Sequence, residues 1–337
     1  MREVILKQSE QIIHSLAVNQ DVKVKGAFDS MILAGMGGSG HPGDLLNALN
    51  ITNLPLYVHR NYDLPLDYLR HMGLKQPLVI ISSYSGNTEE ALSSYRVARQ
   101  ESLGILVNSS GGTLVDWAKR DGLPITHIDF PGMQPRHTLF ASFSGIFAAL
   151  RNSGLAEDIT ADLTQTAAQI KKITPDLEQP GKTLAQKIKG RIPVFISTDS
   201  LGFAAKNFKI QTNENAKYPA FWNTFPELNH NELVGFSKLA ATKNPNQFIA
   251  LILRDDHDHP RNQVRMDVTT KLYEQWGVPV EQFTVPGTSL LEKIFAAITF
   301  GLWTTYYLAL AYGIDPVPVE GVESFKGELK QVSGDLT

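Results

Sequence analysis

Residues 77–90 read PLVIISSYSGNTEE. The run from Pro77 to Ser83 is apolar without alternation and carries Val79, Ile80 and Ile81. That pattern predicts a strand buried on both faces. A polar turn follows, Ser82-Ser83-Tyr84-Ser85-Gly86-Asn87-Thr88, and Glu89 to Gln100 has a helical pattern. A continuous apolar strand passing through a glycine turn into a helix is the opening of a βαβ unit, which needs a parallel sheet covered by helices.

The pattern recurs on either side. Asp29–Ala34 (DSMILA), Pro55–Arg60, Leu103–Asn108 and Pro124–Ile128 read as strands. Residues 3–20, Thr113–Arg120 and most of 136–174 read as helical. Pro175–Thr183 holds two prolines and a glycine and reads as a link. Beyond it, Arg191–Ser197, Gln247–Leu253 and Val278–Val285 are strands again, the first two ending in polar loops. The expectation is an α/β chain of two related halves, each a parallel sheet flanked by helices. The predicted limits are 1–155, a helical linker 156–184, and 185–337 with the C-terminal helices.

Composition narrows the function classes. The chain has 337 residues, 31 Lys+Arg, 34 Asp+Glu and no cysteine, for a net charge of −3. There is no basic signature for nucleic acid or an anionic membrane. Disulfides, zinc–thiolate sites and thiol catalysis are excluded, which fits a reducing cytosol. The N-terminus, MREVILKQSEQII, lacks the apolar core of a signal peptide. Ile294–Ile314 carries no formal charge, but its threonines and tyrosines read as a buried or interface helix and not a membrane span.

Two glycine loops follow strands. Gly35-Met36-Gly37-Gly38-Ser39-Gly40 fits G-x-G-x-x-G by letter. The acidic residue expected after the second strand is replaced by His59 and Arg60; Arg60 could serve the 2′-phosphate of a nicotinamide cofactor, and the loop reads equally as a structural glycine turn or as a contact for another small ligand. The second loop is more telling. Ser83, Ser85 and Thr88 before a helix N-terminus form a phosphate cradle of hydroxyls and backbone N–H groups. Helix capping would account for one hydroxyl, not three.

The strand–SxSGxT–helix pattern at Ser83–Thr88 resembles the sugar isomerase (SIS) domain, which binds phosphosugars. The GMGGSG loop, HRNYDLP at 59–65, NENAK at 213–217, PELNHNE at 226–232 and the C-terminal DPVPVEGVESFKGEL are similar to one subgroup, the bifunctional phosphoglucose/phosphomannose isomerases. The similarity extends over nearly the whole chain. It implies two SIS-type domains and interconversion of glucose 6-phosphate, and of mannose 6-phosphate, with fructose 6-phosphate through a cis-enediol. It implies no metal and no organic cofactor. It also implies a cytoplasmic homodimer with the active site at the subunit interface.

Moving a hydrogen between C1 and C2 of a sugar needs a base, a group that stabilises the enediolate, and an acid/base pair for ring opening. By resemblance Glu214 is the base, and His230, reaching the site from the other subunit, opens the ring together with Lys326. Arg136 lies where enediolate charge develops. Ser39, Ser83, Ser85 and Thr88 hold the phosphate, and Gly37 and Gly38 let the backbone approach the sugar. On the residues alone, Glu214 and Lys326 read equally as solvated helix residues, His230 as a loop histidine and Arg136 as half of a surface ion pair. Two departures bear on specificity. His41-Pro42 follows the glycine loop where the family has small residues, and Val317 and Val319 stand where it has a threonine associated with dual use.

Arg254-Asp255-Asp256-His257-Asp258-His259 is dense in hard metal ligands but also suits a solvated loop balanced by Arg261 and Arg265. The alternatives to an isomerase for these substrates are a non-catalytic sugar-phosphate sensor, a nicotinamide oxidoreductase using Gly35–Gly40, and an isomerase for a related sugar phosphate.

Overall fold

The computed structural model describes residues 1–239 and 244–333. The chain divides into two compact units. One comprises Gln8–Ala167 and the segment from Glu320; the other comprises Met1–Lys7 and Ala168–Val319.

In the first unit the apolar runs become β1 (Ser30–Ala34), β2 (Leu56–His59), β3 (Pro77–Ser82), β4 (Gly104–Ser109) and β5 (Ile125–His127). They form one sheet in the order β2-β1-β3-β4-β5 with every neighbouring pair parallel. β1 and β3 are buried along their length. Ile32, Val79, Ile81, Ile105 and Val107 pack with Leu92, Tyr95 and Leu114 from the helices Glu89–Gln100 and Gly112–Arg120. A fully buried side chain of this kind contributes about 1.5–3 kcal/mol, against about 1–2 kcal/mol for ordering each backbone residue. A strand apolar on both sides therefore needs cover on both, and the buried helix Leu139–Asn152 also contacts β4 and β5.

The polar groups inside this sheet are satisfied. Asn108 Nδ2 donates to Ser82 Oγ at 3.0 Å and to Ser142 Oγ at 2.7 Å. Its Oδ1 accepts from Thr126 Oγ1 at 3.0 Å. The bonds fix the end of β3, from which the Ser83–Thr88 loop departs.

The second unit contains β6 (Ile192–Thr198), β7 (Phe221–Phe225), β8 (Phe248–Arg254) and β9 (Val280–Thr284), in the order β7-β6-β8-β9. All its neighbours are parallel. Over four strands the two sheets share one connection order. β7 was not among the expected strands. It is a short edge strand, flanked by Pro219 and Pro226, with Phe221 and Trp222 exposed.

The apolar helix Leu290–Ala311 packs on the helices Glu178–Ile188 and Gly202–Asn215. By length and composition it is long enough to cross a membrane, yet 78% of its most apolar window is buried within the fold. A Cβ on Gly181 would stand 2.6 Å from Trp303 Cβ, and one on Gly301 would stand 2.7 Å from Gln211 Oε1. Trp303 Nε1 donates to the Thr174 carbonyl at 2.8 Å. Pro180 and Gly181, read from sequence as part of a link, lie within the helix Glu178–Ile188. Proline is tolerated there because first-turn N–H groups have no intrahelical acceptor, and glycine is there to admit Trp303.

Candidate active site

The carboxyl ends of β1 and β3 are where the first sheet reverses its strand order, the position at which open α/β sheets take ligands. The loop after β3 is shaped by glycine. Gly86 has φ +70°, and a Cβ there would fall 1.8 Å from the Gly111 carbonyl oxygen. Asn87 Oδ1 accepts the Thr113 N–H at 3.0 Å, and Leu114 N–H reaches Gly86 O at 3.0 Å. The SYSGNT turn is thus braced by the Gly111–Leu114 segment beyond β4.

Within the turn, Ser83 Oγ and Thr88 Oγ1 are 2.9 Å apart, and Ser83 Oγ also accepts the Gly86 N–H at 3.1 Å. Ser85 is exposed and accepts the Asn87 N–H at 3.3 Å. Thr88 occupies the N-cap of Glu89–Gln100, but its side chain makes no cap bond. Capping therefore does not explain these hydroxyls. They converge above a helix N-terminus, where the dipole and N–H groups favour an anion.

The glycine loop lies against this turn. Ser39 Oγ accepts the Tyr84 N–H at 3.1 Å. Gly37 has φ +50°, and a Cβ on Gly38 would lie 2.8 Å from Arg136 N. The loop therefore has to be glycine to let the Pro135–His137 turn approach. Arg136 is buried, 4% exposed. Gly37, Gly38, Ser39, Ser83, Ser85, Thr88 and Arg136 thus share the carboxyl end of the first sheet. Tyr84 supports it in a way the sequence did not reveal. Its hydroxyl donates to Phe130 O at 2.7 Å and accepts the Met133 N–H at 3.1 Å, tying down the approach to Arg136. Burial raises its phenol above the ordinary value, so it remains a donor.

Arg60, the residue a nicotinamide 2′-phosphate would require, is committed elsewhere. Its guanidinium pairs with Asp44 at 2.5 Å and reaches Gly40 O at 3.3 Å. Lys326 lies on the exposed helix Glu320–Ser333, and its ammonium bonds Glu323 Oε1 at 2.9 Å, one turn away. In this chain conformation it has the environment of a solvated helix lysine, and its hydrogen bond is not to the cradle.

In the second unit, Glu214 lies half-buried in the last turn of the helix Gly202–Asn215. The amides on either side are locked. Asn213 Nδ2 donates to Tyr218 O at 2.8 Å and Asn215 Nδ2 donates to Thr305 Oγ1 at 3.0 Å. Lys217, with φ +53°, turns the chain away and donates to Asp315 O at 2.8 Å. A carboxylate between two pinned amides is a placed group.

His230 ends the 3-10 turn Glu227–His230 and is exposed, with no hydrogen bond to a described residue. Its neighbours are fixed. Asn229 Nδ2 bonds Thr269 Oγ1 at 2.9 Å, and Arg265 Nη1 donates to Asn229 Oδ1 at 3.2 Å. Asn231 Nδ2 bonds Glu227 Oε1 at 2.6 Å, and Asn231 Oδ1 caps the next helix through the Glu232 N–H at 2.6 Å. Glu232 Oε2 takes Asn223 Nδ2 at 3.0 Å, while its Oε1 is buried without a partner among the described residues. Burial raises the Glu232 carboxyl above its ordinary value. The NHNE motif therefore places one free imidazole on a braced turn. This bracing was not anticipated; the asparagines flanking His230 were the signal.

The acidic loop after β8 has internal partners. Asp255 pairs with the buried Lys293 ammonium, and Lys293 Nζ is 2.7 Å from His257 Nδ1. Asp258 Oδ1 accepts from Thr198 and Ser200. Among the described residues, no group of three or more His, Asp or Glu side chains is arranged to hold a metal ion.

Residues 177–329 match the family of the bacterial phospho-glucose isomerase C-terminal SIS domain. A bifunctional phosphoglucose/phosphomannose isomerase of Caldicellulosiruptor bescii is 33% identical over 98% of this chain and 99% of its own length. One of Aquifex aeolicus is 35% identical over 90% of this chain and 91% of its own. A hypothetical protein from Thermus thermophilus superposes with a TM-score of 0.70 at 16% identity, covering 98% of this chain and 90% of that one. The last likeness speaks for the fold alone.

Proposed function

The chain belongs to the bifunctional phosphoglucose/phosphomannose isomerase family, and from that premise we propose that it interconverts glucose 6-phosphate and mannose 6-phosphate with fructose 6-phosphate. The observation that carries the reading is the pair of hydroxyls, Ser83 and Thr88, turned to each other above a helix N-terminus that neither of them caps. Ser39, Ser83, Ser85 and Thr88 take the phosphate, and Gly37 and Gly38 admit the sugar.

His230 and Lys326 open the ring, moving a proton from the C1 hydroxyl to the ring oxygen. Glu214 then removes the C2 proton. The C2–H electron pair forms the C1–C2 double bond of a cis-enediol, and the former carbonyl oxygen at C1 takes up a proton. Return of the proton to C1 while O2 becomes the carbonyl gives the ketose. Arg136 stabilises negative charge on the enediolate oxygens. The route needs neither a metal nor an organic cofactor. Because either C2 epimer loses its proton to one planar enediol, the same base serves glucose and mannose substrates if the site tolerates both faces.

The exposed, unpartnered imidazole of His230 supports a role toward a second copy of the chain in a cytoplasmic homodimer. The shared connection order of the sheets supports two related SIS-type domains; the limits expected from sequence, 1–155 and 185–337 joined through 156–184, differ from the compact units, in which Met1–Lys7 groups with Ala168–Val319 and the segment from Glu320 groups with Gln8–Ala167.

The test is formation of fructose 6-phosphate from each aldose phosphate in the presence of a chelator. Turnover of both, lost in Glu214→Gln, is expected. Turnover of glucose 6-phosphate alone would restrict the specificity and direct attention to His41, Val317 and Val319. No turnover of either by folded protein would refute the proposal.

A further inference from the structure

The second sheet reverses its strand order between β6 and β8, as the first does between β1 and β3. Loops leaving the carboxyl ends of such a strand pair flank the usual ligand crevice. In the first unit those loops, Gly35–Gly40 and Ser83–Thr88, bring hydroxyls and no acid. In the second unit the end of β6 and the turn after it bring hydroxyls, Thr198 and Ser200, with the exposed Asp199 between them, and the loop after β8 brings a further carboxylate, Asp258. Thr198 Oγ1 donates to Asp258 Oδ1 at 2.6 Å, and Ser200 Oγ donates to the same oxygen at 3.0 Å. The two hydroxyls are 2.8 Å apart, close to the spacing of Ser83 and Thr88. Asp258 Oδ2 is buried and has no partner among the described residues.

Two hydroxyls converging on one anionic oxygen, four and two residues ahead of a helix that starts at Gly202, is the arrangement a phosphate oxygen would accept. The nearby buried cation is already neutralised, since Lys293 pairs with Asp255. We infer that Asp258 is a built-in anion in the second unit's counterpart of the crevice that the Gly35–Gly40 and Ser83–Thr88 loops flank in the first. It takes the hydroxyls that a phosphate monoester would use and repels a dianion, so each chain holds one phosphate and not two. The comparison rests on the reading of Ser83–Thr88 as the phosphate site; the Asp258 contacts do not.

The test is the stoichiometry of inorganic phosphate per chain, by equilibrium dialysis, on the full-length protein. Wild type is expected to bind one. Asp258→Ser and Asp258→Gly, each checked for wild-type circular dichroism, are expected to bind two, and adding Thr198→Val to either is expected to return the count to one. In a Ser83→Ala/Thr88→Val background, the chain with Asp258 should bind none and the chain with Asp258→Ser should bind one. A count unchanged by both Asp258 substitutions would overturn the inference. So would a crystal of wild type grown in phosphate with phosphate bound at Thr198 and Ser200. A wild type that binds none while Asp258→Ser binds one would remove the Ser83–Thr88 reading and leave this one standing.

Discussion

Ser83 Oγ and Thr88 Oγ1 face each other at 2.9 Å across the turn that ends β3, and Thr88 gives the following helix no side-chain cap. Loss of a working cap typically costs about 1 kcal/mol of stability. Thr88→Val should cost less than that, because there is no cap bond to lose. A hydrogen bond to a charged group is worth about 1.5–3 kcal/mol, or roughly ten- to a hundredfold in binding. Thr88→Val is expected to raise KM for glucose 6-phosphate by that factor with little change in melting temperature, and Ser83→Ala to raise it likewise with some loss of melting temperature, because it also removes the acceptor of the Gly86 N–H. A lowered melting temperature with an unchanged KM would make the hydroxyls structural.

Gly86 gives the opposite signature. Its φ of +70° and the 1.8 Å approach to Gly111 O leave no room for a methyl group. Gly86→Ala must displace the Gly111–Gly112 backbone, and backbone strain of this kind commonly costs about 1–3 kcal/mol. Both denaturation midpoint and phosphate affinity should fall. Gly122→Ala, also at positive φ but with open space around it, should lose stability from backbone strain alone and keep its affinity. Equal losses of affinity in the two variants would argue against a brace specific to the cradle.

The contrast between these glycines shows what a linear sequence carries. The strand, the turn and the helix of residues 77–100 are encoded within about 25 residues by apolar run, glycine and helical spacing, so they were legible. The brace from Gly111 and the Tyr84 clamp on Phe130 and Met133 are contacts between distant segments, and no local pattern announces them. β7 escaped notice because an edge strand with Phe221 and Trp222 turned outward lacks the buried run that marked its neighbours. Glu214 and His230 stood out by resemblance to a family, not by spacing. Their immediate surroundings, pinned amides on both sides of each, appear only once the chain is folded.

For Glu214 the expected outcome is a loss of kcat, not of binding. General acid–base catalysis by a placed side chain contributes about 10²–10⁴-fold. Glu214→Gln keeps the volume and removes the proton acceptor, so kcat should fall by about that factor while KM changes little. Exchange of the C2 hydrogen with solvent deuterium, followed by NMR, should stop in parallel. Exchange that persists at the wild-type rate would assign the proton transfer to another group.

Glu232 supplies a pH signature. Burial raises its carboxyl above the ordinary value of 4.5, an effect that Asn223 only partly offsets. The folded chain therefore holds the proton more tightly than the unfolded chain does. Stability from this group is complete below the unfolded value and is lost as pH rises through the higher folded value. Glu232→Gln has no such titration. Denaturant midpoints measured from about pH 4 to about pH 8 should show wild type losing stability relative to Glu232→Gln as pH rises, with the curves closest at the acid end. A constant offset would mean that folding does not shift this carboxyl, and a wild type that gains on the variant with pH would mean that folding favours its charged form.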